Sequence, residues 1–437
     1  MEDGNSNGYR HILKYTSIFG SVQGLNVLAA LVRNKCAALF LGPAGMGFAS
    51  LMTATTNFLT QTAGLGLSFS AVRHISAYFD EGHQERILHC VGVIRTWCLL
   101  AAFLGIILCT LSGYWMLAPA VAITIIGGGE TAVMKGVRRL RSLAIVQVIT
   151  AIVSVVISVP LYWKYGQEAI IPVINLVAVA SMFPAIYIAY RLCPLALSFS
   201  SSVMKDGMGM LRLGVAYTLA AMAGSGAELL IRSWLERETD LAEVGLYNAG
   251  YLLTVTYVGI VFAAMDNDYF PRLSAVKDTQ ETRETVNRQM EVLLWIVTPL
   301  LTLMIPCLPW VVRLLLSSEF LSIVTMAQIA AAAMVLKAAT LPVAYITLAR
   351  GRSFAYLILE TAYYLVFILL VIGCYRQWGL VGAGVAIYIA HVFDFVMIHG
   401  YAYHAFGYHL SKRTLYIIGA ALAVVSTALW ISLSILT

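Results

Sequence analysis

Charge is scarce in this sequence. Only 11% of its 437 residues are Asp, Glu, Lys or Arg, against about 25% in a soluble globular chain. Hydrophobic residues fill the gap, at 60% of the chain with a mean hydropathy of +0.82. A soluble fold is excluded. Long apolar blocks must be helices, because lipid leaves no water for unpaired backbone groups. A membrane barrel would show short alternating segments, and "LAAFLGIILCTL" does not alternate.

Other absences exclude chemistry. The seven cysteines form no CxxC pair and most sit inside apolar runs, so they are expected to be small apolar fillers. The eight histidines lack ligand spacing; His391 and His399 stand eight apart with nothing beside them to complete a site. There is no phosphate-binding GxxxxGKS/T loop, no HExxH and no GxSxG. "GGGE" at 127–130 follows no strand, so it is expected to serve close helix packing, not phosphate. No catalytic residue, metal or cofactor is assigned, and the protein is not expected to be an enzyme. The polar opening "MEDGNSNGYRHILKY" lacks the form of a cleavable signal, so the first span is expected to act as its own insertion signal.

What is present is a series of thirteen expected spans, from 15–40 and 44–70 through 211–235 and 241–267 to 413–436. The basic residues orient them. With a cytoplasmic N-terminus, nineteen Lys and Arg fall on the inner side and four (Lys164, Arg237, Arg313 and Arg376) on the outer. That is a strong positive-inside bias. It also accounts for the net charge of +6, so nucleic acid is not an expected partner.

The chain repeats itself. "LGPAGMGFASL" begins at Leu41 and "AEVGLYNAGYLL" at Ala242, placing Gly47 and Gly245 198 positions apart. "RHISA" at 73–77 and "RLSA" at 272–275 keep that offset, with Ser76 matching Ser274. Six spans separate the copies, an even number, so both point the same way. Parallel repeats of this kind predict two similar bundles related by an axis along the membrane normal. The expected divisions are 1–192, an inner linker 193–210, 211–405, and an added helix 406–437. Gly42-Pro43 should end the first span, with Gly45 and Gly47 easing the turn, a structural role rather than ligand contact.

Ionisable residues inside spans are costly and by default face a partner or a cavity. The bases are Arg33, Lys35, Arg95, Arg232 and Lys337; the acids are Glu130, Glu228, Glu360 and Asp394. Glu228 and Arg232 stand four apart, a spacing that allows a local ion pair. Arg33 and Arg95 could instead snorkel to the head-group layer. Lys337 lies too deep for that, in "MVLKAATLPVAYI". Buried cations would suit an anionic substrate, and arginine's planar fork suits phosphate. The acids are candidate ion couplers, with structural pairing as the competing role.

Five stretches stand together: "LGPAGMG", "MKGVRR" at 134–139, "EVGLYNAGYLL", "YFPRLSAV" at 269–276, and the run from Lys337 through "LARGRSFAYLILE" to Glu360. In their order and spacing they resemble the bacterial polysaccharide-transporter flippases. That family includes the O-antigen (Wzx-type) flippases. It shares the multidrug/oligosaccharidyl-lipid/polysaccharide (MOP) superfamily with the multidrug and toxin extrusion exporters. The resemblance implies an all-α polytopic membrane protein, with two parallel six-helix lobes forming a V-shaped central cavity. It implies transfer of undecaprenyl-pyrophosphate-linked oligosaccharide from the inner to the outer leaflet of the bacterial inner membrane. It implies membrane lipid, polymerase and other polysaccharide-assembly proteins as partners. Lys35, Arg232 and Lys337 match positions where similar flippases carry bases, which implies a head-group role; Arg33 is added for its proximity to Lys35. The thirteenth span departs from the family's twelve or fourteen. Two other functions compete: a cation/drug antiporter, which would want an acidic cavity, and a membrane polymerase or ligase, which would want a large outer loop.

Reporter fusions after Lys135 and after Lys277 should report cytoplasm, and one near Lys164 periplasm. A periplasmic signal from "KGVRRLR", the densest basic cluster, would overturn the topology.

Overall fold

The computed structural model describes residues 3–80, 82–194, 197, 200–276 and 278–436. Lys277, counted above as an inner-side base, lies outside the described residues, as do the side chains of Arg10, Lys14 and Arg212. The helices are α1 (Asp3–Gly64), α2 (Leu67–Asp80), α3 (Gln84–Leu111), α4 (Ala118–Gly136), α5 (Leu140–Tyr165), α6 (Ile170–Leu192), α7 (Ser201–Glu238), α8 (Leu241–Tyr251), α9 (Tyr257–Ala275), α10 (Thr279–Leu315), α11 (Val324–Ala349), α12 (Ser353–Phe406) and α13 (Lys412–Leu436). The described residues contain no strand. The chain is an all-α polytopic membrane protein.

Nine stretches among the described residues are long and apolar enough to cross a bilayer. Three of them, Gly24–Gly64, Arg141–Leu192 and Ser353–Phe406, run to 41, 52 and 54 residues. One crossing needs about 20, so each holds two. Each is broken by a glycine at positive φ: Gly42 (64°), Gly166 (56°) and Gly379 (57°). A side chain is strained in that region, and glycine is not. Gly42 alone makes the first turn, and Pro43 enters the next helical segment. Gly47 is therefore not a turn residue, contrary to the sequence expectation. The expected span 211–235 lies in α7, which is not among the nine; its polar residues, including Glu228 and Arg232, lower the hydropathy. Other expected spans are interrupted. Leu65 and Gly66 have positive φ between α1 and α2, and a π-helical turn, Leu252–Thr256, separates α8 from α9.

The chain packs as two units. One comprises Met1–Leu41 and Leu51–Ser225, the other Gly42–Ser50 and Gly226–Thr437. The division falls inside α7.

In the first unit α4 is the packing centre, against α2, α3 and α6. Its three consecutive glycines fit three neighbours. A Cβ on Gly127 would strike Met182 of α6, one on Gly128 would stand 3.2 Å from Ser68 Oγ of α2, and one on Gly129 2.6 Å from Cys98 Sγ of α3. The expected packing role of "GGGE" is what the structure shows. The glutamate that follows, Glu130, is buried with Arg95. Arg95 donates from Nε to Glu130 Oε1 (2.7 Å) and from Nη2 to Oε2 (3.0 Å). Its Nη1 donates to the carbonyls of Cys193 (3.0 Å) and Pro194 (2.9 Å). Arg95 does not snorkel; it ties α3 to α4 and to the chain leaving α6.

In the second unit α11 is buried on nearly every side, as the all-round apolar pattern of a central helix requires. Its alanines let α12 approach closely: a Cβ on Gly384 would lie 2.6 Å from the Met326 carbonyl oxygen. The thirteenth span, α13, packs on α10 and α11. Gln328 Nε2 donates to Ser432 Oγ at 2.7 Å, and Thr414 Oγ1 to Glu291 Oε1 at 2.9 Å. It belongs to the second unit's core contacts and is not a loose appendage.

Arg95→Ala should destabilise the protein in detergent by about 3–5 kcal/mol, because it strands a buried carboxylate. The double change Arg95→Met with Glu130→Leu should recover most of that loss. Thermal unfolding of the purified protein reads both. Equal melting points for Arg95→Ala and wild type would remove the pair from the stability account.

Candidate functional site

The ionisable residues singled out in the sequence fall into separate groups. In the first unit, Arg33 and Lys35 lie half-buried on α1, and the charge of Arg33 reaches the buried Tyr162 of α5. Glu130 is taken up by Arg95, as described.

The second unit holds the rest. Glu228 and Arg232 sit one turn apart on α7. Arg232 is 6% exposed; its Nη1 donates to Glu228 Oε2 and its Nη2 to Asn248 Oδ1 of α8, both at 3.0 Å. The expected i,i+4 pair is present. The Nε of Arg232 is buried and takes no hydrogen-bond partner among the described residues. Asn248 thus fixes the arginine, a role not assigned from the sequence even though it lies in the repeated "EVGLYNAGYLL".

Lys337 occupies the middle of the 26-residue α11. Its Nζ lies 5.8 Å from the ring centre of Phe262, within cation–π range. Glu360 and Asp394, both on α12, act on it electrostatically, yet no carboxylate among the described residues forms a direct ion pair with it. Beside them, His391 Nδ1 lies 2.8 Å from the Ile387 carbonyl oxygen, and its ring meets Tyr363 edge-on at 5.8 Å. Three of the four second-unit ions other than Arg232, namely Lys337, Glu360 and Asp394, are therefore brought together.

Tyrosines connect this group to Glu228 and Arg232. Tyr356, Glu360, Tyr363 and Phe367 recur at helical spacing along one face of α12. Tyr356 stands one turn before Glu360, and Tyr363 stacks on Phe367 at 6.0 Å and meets Tyr364 at 5.1 Å. Tyr251 and Tyr364 both feel the charge of Glu228, and Tyr364 also feels Glu360. These phenols, acids and bases lie near enough to feel one another's charge, and together they form a polar track within one unit. The tyrosines were missed in the sequence, although "YLILETAYY" carries the pattern. Among the described residues no group of three or more His, Cys, Asp or Glu could hold a metal ion.

The fold is that of a known class of membrane transporters. An inward-facing multidrug resistance MATE family transporter of the MOP superfamily matches with a TM-score of 0.72 and 13% identity, over 90% of this chain and 95% of that one. The lipid II flippase MurJ, in an inward closed conformation, matches with a TM-score of 0.70 and 12% identity, over 97% and 98%. A mutant of the Vibrio cholerae MATE transporter VcmN matches with a TM-score of 0.61 and 12% identity, over 90% and 98%. No curated protein sequence matches the chain. A family model described as polysaccharide biosynthesis protein matches residues 37–325. The chain belongs to that family.

Asn248→Ala should free one side of the Arg232 guanidinium. We expect it to reproduce the partial phenotype of a weakened arginine, whatever that phenotype is, at normal protein level. If Asn248→Ala matches wild type in every assay where Arg232→Lys is impaired, the amide does not position the arginine.

Proposed function

We propose that this chain is a flippase. It carries an undecaprenyl-pyrophosphate-linked oligosaccharide, an O-antigen or related surface-polysaccharide repeat unit, from the inner to the outer leaflet of a bacterial inner membrane. It works by alternating access, with its N-terminus in the cytoplasm. One observation above all supports this: a lysine, Lys337, at the middle of a membrane-crossing helix with no direct carboxylate partner among the described residues. A cation there costs at least about 2.5 kcal/mol to insert, and an anionic head group passing beside it would offset the cost. The match to the polysaccharide biosynthesis family and the MurJ-like fold favour a lipid-linked sugar as the bearer of that anion. A pyrophosphate cannot cross hydrocarbon unaided, because losing its water is far too costly.

In this mechanism Arg33, Lys35, Arg232 and Lys337 receive the head group. Glu130, Glu228, Glu360 and Asp394 are the candidate ion couplers. Glu360 and Asp394 are best placed for it, since they share Lys337; Glu130 is committed to Arg95. The protein moves its substrate without making or breaking covalent bonds, and hands it to the polymerase and other assembly proteins. A cation/drug antiporter is the second reading, favoured by the MATE-like fold and by the acids around Lys337.

Arg232→Ala and Lys337→Ala should each abolish surface-glycan display while membrane protein level stays near normal. Arg232→Lys should retain part of it, keeping charge but losing the fork. A triple neutral variant, Lys337→Met with Glu360→Gln and Asp394→Asn, separates two roles for the lysine. Restored display would mean that Lys337 only balances the acids; continued failure supports the head-group role.

A further inference from the structure

Away from the polar track, the second unit has another concentration of arginine, at the ends of three helices. α10 begins at Thr279, with Asp278 as its cap accepting from the Glu281 amide at 2.9 Å. α11 ends at Ala349 and turns through Arg350, Gly351 (φ 72°) and Arg352. α12 ends at Phe406, before Gly407 at φ 65°. These ends surround a cavity of about 320 Å³ whose lining includes Thr279, Thr282, Arg283, Arg350, Phe406 and Tyr408. The arginines of the turn come from "LARGRSF", a stretch to which the transport function gives no task.

Both arginines are built in. Arg350 Nη2 donates to Thr282 Oγ1 at 2.8 Å, and that hydroxyl donates in turn to the Asp278 carbonyl at 2.6 Å. Arg283 Nε donates to the His409 carbonyl at 3.0 Å. Its two terminal nitrogens take no protein acceptor among the described residues. The guanidinium is thus anchored on one edge and offers the other. Arg352 lies at the margin, its guanidinium 4.9 Å from the Phe406 ring centre. Ile346, Ala405 and Phe406 give the cavity an apolar side. Its volume sits at the lower end of the roughly 300–1,000 Å³ typical of small-molecule sites. Helix ends place it at head-group depth, on the side that the basic loops assign to the cytoplasm. Basic pockets between helices at that depth suit phosphate-bearing head groups.

We propose that the cavity bounded by the start of α10, the α11–α12 turn and the end of α12 binds a phosphate-ester anion through Arg283 and Arg350. The anion is either the head group of an anionic phospholipid or a soluble phosphate compound. The site is distinct from the polar track, and it stands whether or not the chain is a flippase.

Native mass spectrometry of the full-length protein tests this. The probes are phosphatidylglycerol, phosphatidylcholine and inorganic pyrophosphate. Wild type should retain phosphatidylglycerol over phosphatidylcholine, or pyrophosphate, or both. Arg283→Gln with Arg350→Gln should lower that occupancy about tenfold, the scale of one lost charged hydrogen bond. Arg376→Gln, whose partner is Glu238 in another part of the unit, should leave it unchanged. Pyrophosphate that displaces phosphatidylglycerol shows that the anion alone suffices; lipid retained against pyrophosphate assigns the site to the lipid. Anion binding equal in wild type and the double variant overturns the proposal. If the double variant does not fold, maleimide labelling of the Thr279→Cys protein decides. Phosphatidylglycerol vesicles or added pyrophosphate should slow labelling relative to phosphatidylcholine vesicles alone, and equal rates in all three overturn the proposal.

Discussion

Backbone meets backbone at glycines, and much of this structure depends on it. A Cβ on Gly245 would run into the Pro43 carbonyl and stand 2.9 Å from the Gly47 amide; one on Gly47 would run into the Leu241 carbonyl. In the first unit, a Cβ on Gly66 would lie 2.5 Å from the Gly214 carbonyl oxygen, and one on Gly214 2.8 Å from that of Leu65. Lipid tails are as apolar as leucine, so helices in a membrane gain little from burying apolar surface. They gain from close approach. The matched stretches around Gly47 and Gly245 are therefore more than copies of one ancestral turn: they are the two faces of one contact.

Close packing then sets the terms for charge. Where helices touch this tightly, an ionisable side chain has no route to water, and it must find a partner or a cavity. Arg95 finds Glu130 and two carbonyls, and its Nε, Nη1 and Nη2 all donate within the first unit. Arg232 spends its terminal nitrogens on Glu228 and Asn248 and keeps a buried Nε without a partner among the described residues. Among the described residues Lys337 has the pull of Glu360 and Asp394 and the Phe262 ring, with no direct ion pair. Ordered from fully to least compensated, these three bases run from a closed structural pair to the lysine on which the proposed head-group role rests.

The sequence carried the helical class, the transporter resemblance and most of the spans, because period and hydropathy are local properties; 211–235 fell outside the apolar stretches because of its polar residues. Its one clear error about the repeat was local too: Gly47 looked like a turn residue, since a Gly-Pro-rich stretch is normally read that way. What it serves is a contact 198 residues away, visible only in three dimensions. The i,i+4 pair Glu228–Arg232 was legible because a helix fixes that spacing. The Arg95–Glu130 pair was not, since its members sit on different helices 35 residues apart. The tyrosines of α12 hid for another reason. In an apolar helix a phenol passes as one more aromatic until a neighbouring carboxylate shows its hydroxyl to be used.

The polar track gives Lys337 a context that a lone buried cation would lack. Two acids on α12 lower the cost of inserting the lysine, yet neither closes on it as an ion pair. A fully closed pair would be a permanent fixture, as Arg95–Glu130 is. An open one leaves the ammonium free to exchange partners, since an incoming anion competes with carboxylates that are near but not bound. Tyr251 and Tyr364 lie within electrostatic reach of Glu228, and Tyr364 within reach of Glu360 as well. On the proposed reading, an anion arriving beside Lys337 would shift the balance at Glu360 and Asp394, which is what coupling between a head group and these acids requires.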